Sequence, residues 1–132
     1  MPKTLGQKRA KHAWDAVQGV LTDKSAPEGA AKEYGTHAKK LPLRIRTAGL
    51  GSALAFLRAK AEKKGHLKRL HRDLTDWVIG ERGLPAKHRD DLLQSIVDGE
   101  SDFLRRATDE SMAYLEWLNR FAEAEGLTRE ED

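Results

Sequence analysis

The sequence predicts an all-α protein, a compact bundle of five or six helices, from three observations. Alanine and leucine number 17 each, whereas valine and isoleucine together number 7, a bias that favours helix over sheet. Apolar residues recur at intervals of three and four along most of the chain, as one buried helix face requires. The chain of 132 residues contains no cysteine, so its stability depends on a hydrophobic core without disulfides. We expect a single helical domain over residues 1–132.

Two helices are predicted in the first third of the chain. The first runs from about Thr4 to Leu21, where its apolar stripe meets a polar break. The segment Ser25-Ala26-Pro27-Glu28 has the pattern of a capping box with proline at the first helical position. It therefore predicts the start of a second helix, which should end near Lys40.

Proline and glycine positions predict the third helix. Pro42 should begin it, the pair Gly49 and Gly51 should bend it, and Gly65 should end it. This assignment keeps all four prolines outside helix interiors, as their missing N–H group favours.

The second half of the chain predicts three more helices. The fourth spans roughly His66 to Ile79, a short fifth ends at Gly99, and the long last helix ends at Gly126. Residues 128–132 should form a frayed tail. The apolar residues that we expect in the core include Leu41, Leu43, Ile45, Leu50, Leu54, Phe56, Leu57, Trp77, Leu115 and Leu118.

Charge is distributed unevenly along the chain. Residues 1–72 carry 17 lysines and arginines against 5 aspartates and glutamates, a balance of +12, whereas residues 73–132 carry 7 against 16, a balance of −9. This asymmetry indicates a basic surface for an anionic partner, or two halves that attract each other within or between molecules.

The polar residues show none of the spacings typical of an active site. The five histidines form no HExxH pattern, the serines lack the context of a nucleophile elbow, and no GxxxxGK phosphate loop occurs. We therefore expect no enzymatic activity, no metal and no cofactor. No apolar run approaches the roughly 20 residues of a membrane span, so we expect no membrane partner and a cytoplasmic location.

Lysines and arginines around the predicted second to fourth helices are the candidate site. The predicted RNA-binding residues are Lys39, Lys40, Arg44, Arg46 and Arg58, with a second group of Lys68, Arg69 and Arg72. They can bind phosphates, since cations gain free energy by releasing counterions from nucleic acid. They can equally form a solvated face with the local pairs Arg69–Asp73 and Arg72–Asp76, each four residues apart. Charge alone leaves both interpretations open, and no aromatic-rich motif predicts readout of bases.

One stretch resembles a known family. Residues 34–45 (YGTHAKKLPLRI), the pair Gly49-Leu50 and residues 53–57 (ALAFL) resemble the signature of the small subunit of the type III-B CRISPR (Cmr) effector complex. The family's members are also short, helical and basic near the N-terminus. Ala48 departs from the pattern, because many members have a polar residue before the Gly-Leu pair.

The resemblance implies a non-catalytic role in an antiviral ribonucleoprotein. Several copies would stack beside the other subunits of the effector complex, along the groove where guide and target pair. They would contact target RNA through its phosphates, and adjacent copies would be partners of one another. The alternative function is a helical protein-interaction adaptor with no direct nucleic-acid contact.

Overall fold

The computed structural model describes residues 2–128, so the predicted tail lies, apart from Thr128, outside the described residues. Six α-helices follow one another: α1 (Leu5–Leu21), α2 (Ala30–Ala48), α3 (Leu50–Ala61), α4 (Gly65–Thr75), α5 (Leu92–Asp98) and α6 (Ser101–Ala124). A π-helical turn, Asp76–Glu81, continues α4. No strand occurs within residues 2–128, and the predicted all-α class is confirmed.

The first helix begins where the sequence predicts. The Thr4 hydroxyl accepts a hydrogen bond from the Gln7 backbone N–H (3.1 Å), and the Gln7 side chain accepts one from the Thr4 N–H (2.8 Å). This reciprocal capping box satisfies backbone donors that lack partners inside a helix.

The predicted start of the second helix is wrong. The backbone N–H and the hydroxyl of Ser25 both donate to Asp23 Oδ1 (3.0 and 2.6 Å), so Ser25 stabilises a turn and caps no helix. The helix begins after Gly29, whose positive φ of 84° suits a residue without a β-carbon.

Pro42 lies inside α2, so the prediction that it begins the third helix is also wrong. Buried residues on both sides of it, Ala38 and Leu41 before and Ile45 after, belong to the same core. Their packing outweighs the cost of an internal proline, about 3 kcal/mol. The break comes instead at Gly49, whose φ is 90°, and α3 begins at Leu50.

The π-helical turn explains how three successive residues reach the core. Trp77, Val78 and Ile79 are all buried. Three successive residues span about 200° in an α-helix, and the π turn, with its i→i+5 hydrogen bonds, narrows that span.

The core is a continuous cluster to which all six helices and the π turn contribute. α2 packs against α1, α3, α4 and α6, and the pairing of α1 with α6 is the most extensive in the fold. The predictions of burial are confirmed for Leu41, Ile45, Leu50, Leu54, Leu57, Trp77, Leu115 and Leu118. None of the helices between residues 2 and 128 has the length and hydropathy that crossing a bilayer requires.

Two predicted core residues, Leu43 and Phe56, are exposed, at 63% and 41% respectively. The continuation of α2 through Pro42 explains Leu43: it lies two residues from both Leu41 and Ile45, and therefore about 200° away from their buried side. Phe56 is likewise two residues from the buried Leu54, on another side of α3.

The segment after α6 packs back on α2. Gly126 turns the chain with a φ of 71°, and the following Leu127 is buried against Gly35. A β-carbon on Gly35 would lie 2.8 Å from the β-carbon of Leu127 and would overlap the Leu127 carbonyl oxygen. This close approach therefore requires glycine.

Candidate nucleic-acid interface

Four of the predicted RNA-binding residues lie on α2. Lys39, Lys40 and Arg46 are exposed, and Arg44 is half-buried. At about 100° per residue, Lys40 and Arg44 share one side of the helix, and Lys39 and Arg46 share another. The side of Lys40 and Arg44 faces α3, because the Arg44 guanidinium lies over the ring of Phe56.

The predicted residues on α3 and α4 form a separate group. Arg58, Lys68 and His71 line a groove of about 610 Å³ between these helices. Arg58 also donates to Asp91 Oδ1 (2.6 Å), which neutralises part of its charge. Arg58 lies two residues from Phe56, hence on a different side of α3, so the predicted residues do not all share one side of the helices.

Arg69 faces the protein interior more than the solvent. Its guanidinium lies against α1 at Gly19, where a β-carbon would overlap it, and approaches Asp23 Oδ2 at 3.5 Å. The predicted pair Arg69–Asp73 forms no salt bridge, and Asp73 accepts instead from the Tyr34 hydroxyl (2.6 Å). Arg69 therefore joins α4 to α1.

The predicted pair Arg72–Asp76 is also wrong. Asp76 Oδ2 pairs instead with His12 Nε2 at 2.6 Å. Arg72 is exposed and forms no salt bridge within residues 2–128.

Exposed or half-buried cations with no salt bridge in the described part of the chain collect on α2, α3, α4 and the turn between α3 and α4. We call them the basic surface: Lys32, Lys39, Lys40, Arg44, Arg46, Lys60, Lys63, Lys68 and Arg72. The predicted RNA-binding set did not include Lys32, Lys60 and Lys63. Because no described carboxylate neutralises these side chains, their charge is available to an anion.

Cations converge at one end of this surface, around His37. Partial burial lowers the pKa of His37 from its usual value, and the positive charge of Arg44 lowers it further. Lys40 and Lys64 act in the same direction, and Glu33 opposes them. His37 is therefore neutral at pH 7, so it lies near these cations without adding to their charge.

Elsewhere the two halves of the chain neutralise each other inside the fold. The buried carboxylate of Glu110 on α6 accepts from Arg9 Nε (2.6 Å), Arg82 Nε (2.9 Å) and Trp77 Nε1 (3.0 Å). Burial alone would raise the pKa of Glu110, but these partners outweigh it and lower the pKa. Part of the charge asymmetry along the sequence is therefore neutralised by ion pairs within the fold.

A hydrogen-bonded chain links α1 to α6 and the π turn. His12 Nδ1 lies 2.7 Å from the Tyr114 hydroxyl, while its Nε2 pairs with Asp76. Burial raises the pKa of Tyr114, so its hydroxyl stays protonated and takes part in packing. Between residues 2 and 128, no three potential metal ligands come together.

These features define a small all-α protein with internal ion pairs and an extended basic surface. The chain belongs to the Cas_Cmr5 family: the family model described as CRISPR-associated protein (Cas_Cmr5) matches residues 5–125. The resemblance to the Cmr small subunit is thus confirmed.

A curated protein and a solved structure, both from Thermus thermophilus, support the assignment. The chain is 35% identical over 123 residues to the CRISPR system Cmr subunit Cmr5 of Thermus thermophilus, covering 92% of this chain and 96% of that protein. It is also similar to the X-ray crystal structure of a CRISPR-associated Cmr5 family protein from Thermus thermophilus. The TM-score is 0.70 at 32% identity, with 92% of this chain and 97% of the other covered.

Proposed function

We propose that this protein is a non-catalytic subunit of a type III-B CRISPR ribonucleoprotein that contacts target RNA through phosphates. The whole chain acts as one domain, and several copies stack along the guide–target groove in cytoplasmic antiviral defence. Membership of the Cas_Cmr5 family supports a place in the Cmr complex, with its other subunits as partners. The observation that carries the RNA contact is the basic surface, whose cations have no carboxylate partner among the described residues.

Phosphate contact follows from the chemistry of this surface. Lysine and arginine gain free energy when nucleic acid releases its counterions, whatever the sequence. A subunit that serves many guides needs such sequence-independent contact. Arg58 and Arg69 contribute less than the other predicted residues, because each already has a carboxylate partner.

The test measures target-RNA affinity of the assembled complex as a function of salt. Replacing Lys39 and Lys40 together by alanine should weaken binding to all target sequences alike. Each lost phosphate contact should reduce the slope of log affinity against log salt by about 0.7 on single-stranded RNA. A second double variant, Lys68→Ala with Arg72→Ala, tests the α4 side in the same way.

The matched control removes the same charge elsewhere. Arg105 and Arg120 on α6 are exposed and pair with Asp102 and Glu116. Their joint replacement by alanine should leave the salt slope unchanged. Unchanged affinity and slope in both test variants would reject the RNA contact.

A helical protein-interaction adaptor is the second candidate function, because one cluster of aromatic side chains is exposed. Trp14 of α1 and Trp117 of α6 are 39% and 37% exposed, and their rings lie 5.3 and 5.7 Å from that of Phe121. Exposed tryptophans are enriched at protein interfaces. This face suits a contact with another subunit, and a negative result in the RNA test would leave it as the main function.

A further inference from the structure

Phe56 is an aromatic side chain exposed in the middle of a basic region. Phe56 is 41% exposed on α3, whereas its neighbour Leu57 is fully buried. The centre of the Arg44 guanidinium lies 4.1 Å from the ring centroid, and Lys60 Nζ lies 5.5 Å from it. Both distances are within the range of cation–π attraction.

Arg44 packs against the ring and has no carboxylate partner in the described part of the chain. Arg44 forms no salt bridge within residues 2–128, and its buried Nη1 has no hydrogen-bond partner among the described residues. The guanidinium is therefore not paired with a described carboxylate while it packs against Phe56, and its Nη1 is a buried donor without a described partner. Lys40 lies one turn before Arg44 on the same side of α2, which adds a further cation.

We propose that an unpaired nucleobase stacks on the exposed part of the Phe56 ring, while Arg44, Lys40 and Lys60 bind the phosphates that flank it. The inference rests on the proposed RNA-binding function and adds a base contact to it.

The composition of this surface favours a nucleic acid over a protein as occupant. A single-stranded nucleic acid alternates planar bases with anionic phosphates, and this site places one planar ring beside Arg44 and Lys60, with Lys40 one helical turn from Arg44. Every base has a π face, so stacking needs no particular sequence. A base contact of this kind is therefore compatible with a subunit that serves many guides.

The experiment separates stacking from phosphate binding in the assembled complex. Phe56→Leu keeps an apolar side chain and all cations but removes the aromatic face. We expect target-RNA affinity to fall about tenfold, as loss of a base–aromatic contact does, with an unchanged salt slope. Phe56→Tyr should bind like the unmodified protein.

An abasic scan of the target RNA identifies the stacked nucleotide. For the unmodified complex, removing an unpaired base that one copy contacts should weaken binding by that copy's share of the Phe56→Leu effect. With Phe56→Leu in place, removing that base should have no additional effect, because the contact is already lost. Val97→Ala, at an apolar position that is 72% exposed on α5, is the control and should leave the scan unchanged.

Three outcomes would overturn the inference. Normal affinity and an unaltered abasic scan for Phe56→Leu, with a reduced slope for the Lys39/Lys40 double variant, would refute stacking and retain phosphate binding. Normal affinity and salt slope for Phe56→Leu and for both double variants, Lys39/Lys40 and Lys68/Arg72, would refute the proposed function as well. Loss of the Phe56→Leu subunit from the purified complex would assign the ring to a protein interface. Circular dichroism of the isolated variant separates that outcome from misfolding.

Discussion

Glu110 shows how one buried carboxylate joins distant parts of this chain. Its side chain is 5% exposed and accepts hydrogen bonds from Arg9 on α1, from Trp77 in the π turn and from Arg82 just after it. Breaking such an ion pair by removing one partner leaves uncompensated charge in the interior. The partly exposed arginines regain some hydration, which limits the cost.

Glu110→Gln should therefore destabilise the protein in a pH-dependent way. The pKa of Glu110 in the folded state lies below its usual value of 4.5, so its stabilising contribution is present above pH 4.5. That contribution is lost as the pH falls through the folded-state pKa. Urea unfolding at pH 7 should show a loss of about 3 kcal/mol, which shrinks below pH 4.5 as the unmodified carboxylate becomes protonated.

The effect of Glu110 has to be measured as the difference in stability between Glu110→Gln and the unmodified protein, because Asp73 changes stability with pH in the opposite direction. Burial raises the pKa of Asp73, so its carboxylate disfavours folding as the pH rises. Glu116→Gln, which affects an exposed pair with Arg120, is the control and should change stability by less than about 0.5 kcal/mol. A Glu110→Gln deficit that is equal at pH 7 and pH 3 would contradict the explanation.

Single residues also mark the limit of what the sequence could predict of the site. Residue type and local charge were enough to propose Lys39, Lys40 and Arg46 as exposed cations. Neither the inward position of Arg69 nor the exposure of Phe56 follows from spacing, because each depends on the neighbouring helix. The absence of a side chain at Gly19, opposite Arg69, was the one available signal.

At the scale of helices, two glycines should respond oppositely to the same substitution. Gly35→Ala adds a methyl group where Leu127 already lies, and overpacking of this kind costs about 1–3 kcal/mol. Gly51→Ala meets only Ile96 Cγ2 at 3.5 Å, an ordinary contact, so the higher helix propensity of alanine should stabilise α3 by about 0.5 kcal/mol. Thermal unfolding of both variants measures the difference. A higher Tm for Gly35→Ala would contradict the packing of the C-terminal segment on α2.

Helix boundaries were predictable where local chemistry decides them. The start of α1 next to Thr4 and the stop at Gly99 depend on neighbouring residues alone, and both predictions are confirmed. Pro42 shows the opposite case. Its local preference is to begin a helix, but Leu41 and Ile45 bury on one continuous face around it. Long-range packing overrides local preference there, and no pattern within α2 reveals this.

At the scale of the whole molecule, the remaining charge separation leads to a prediction about assembly. Ion pairs between the halves, such as Arg58–Asp91, neutralise only part of the asymmetry, and the basic surface keeps its cations. Identical molecules with oppositely charged faces can stack head to tail, and such a contact extends until it is capped. We expect more than one adjacent copy in the complex, and a monomer in isolation, because exposed charge pairs are weak.

Native mass spectrometry and cross-linking of the purified complex measure copy number and adjacency. Sedimentation of the isolated protein, in buffer of the same ionic strength, measures whether it is a monomer outside the complex. A complex with one copy, or with copies that never cross-link to each other, would exclude stacking.

The pairing of α1 with α6 also bears on how the chain acquires its fold during translation. Arg9 and Glu110, which bond across this pairing, are 101 residues apart. At about 5–20 residues per second, a ribosome needs roughly 5–20 s to synthesise the intervening segment. Sequence neighbours such as α2 and α3 can associate within that interval, whereas the apolar stripe of α1 has no α6 to cover it. Of these six helices, α1 is therefore synthesised first, but its apolar stripe is among the last to be covered.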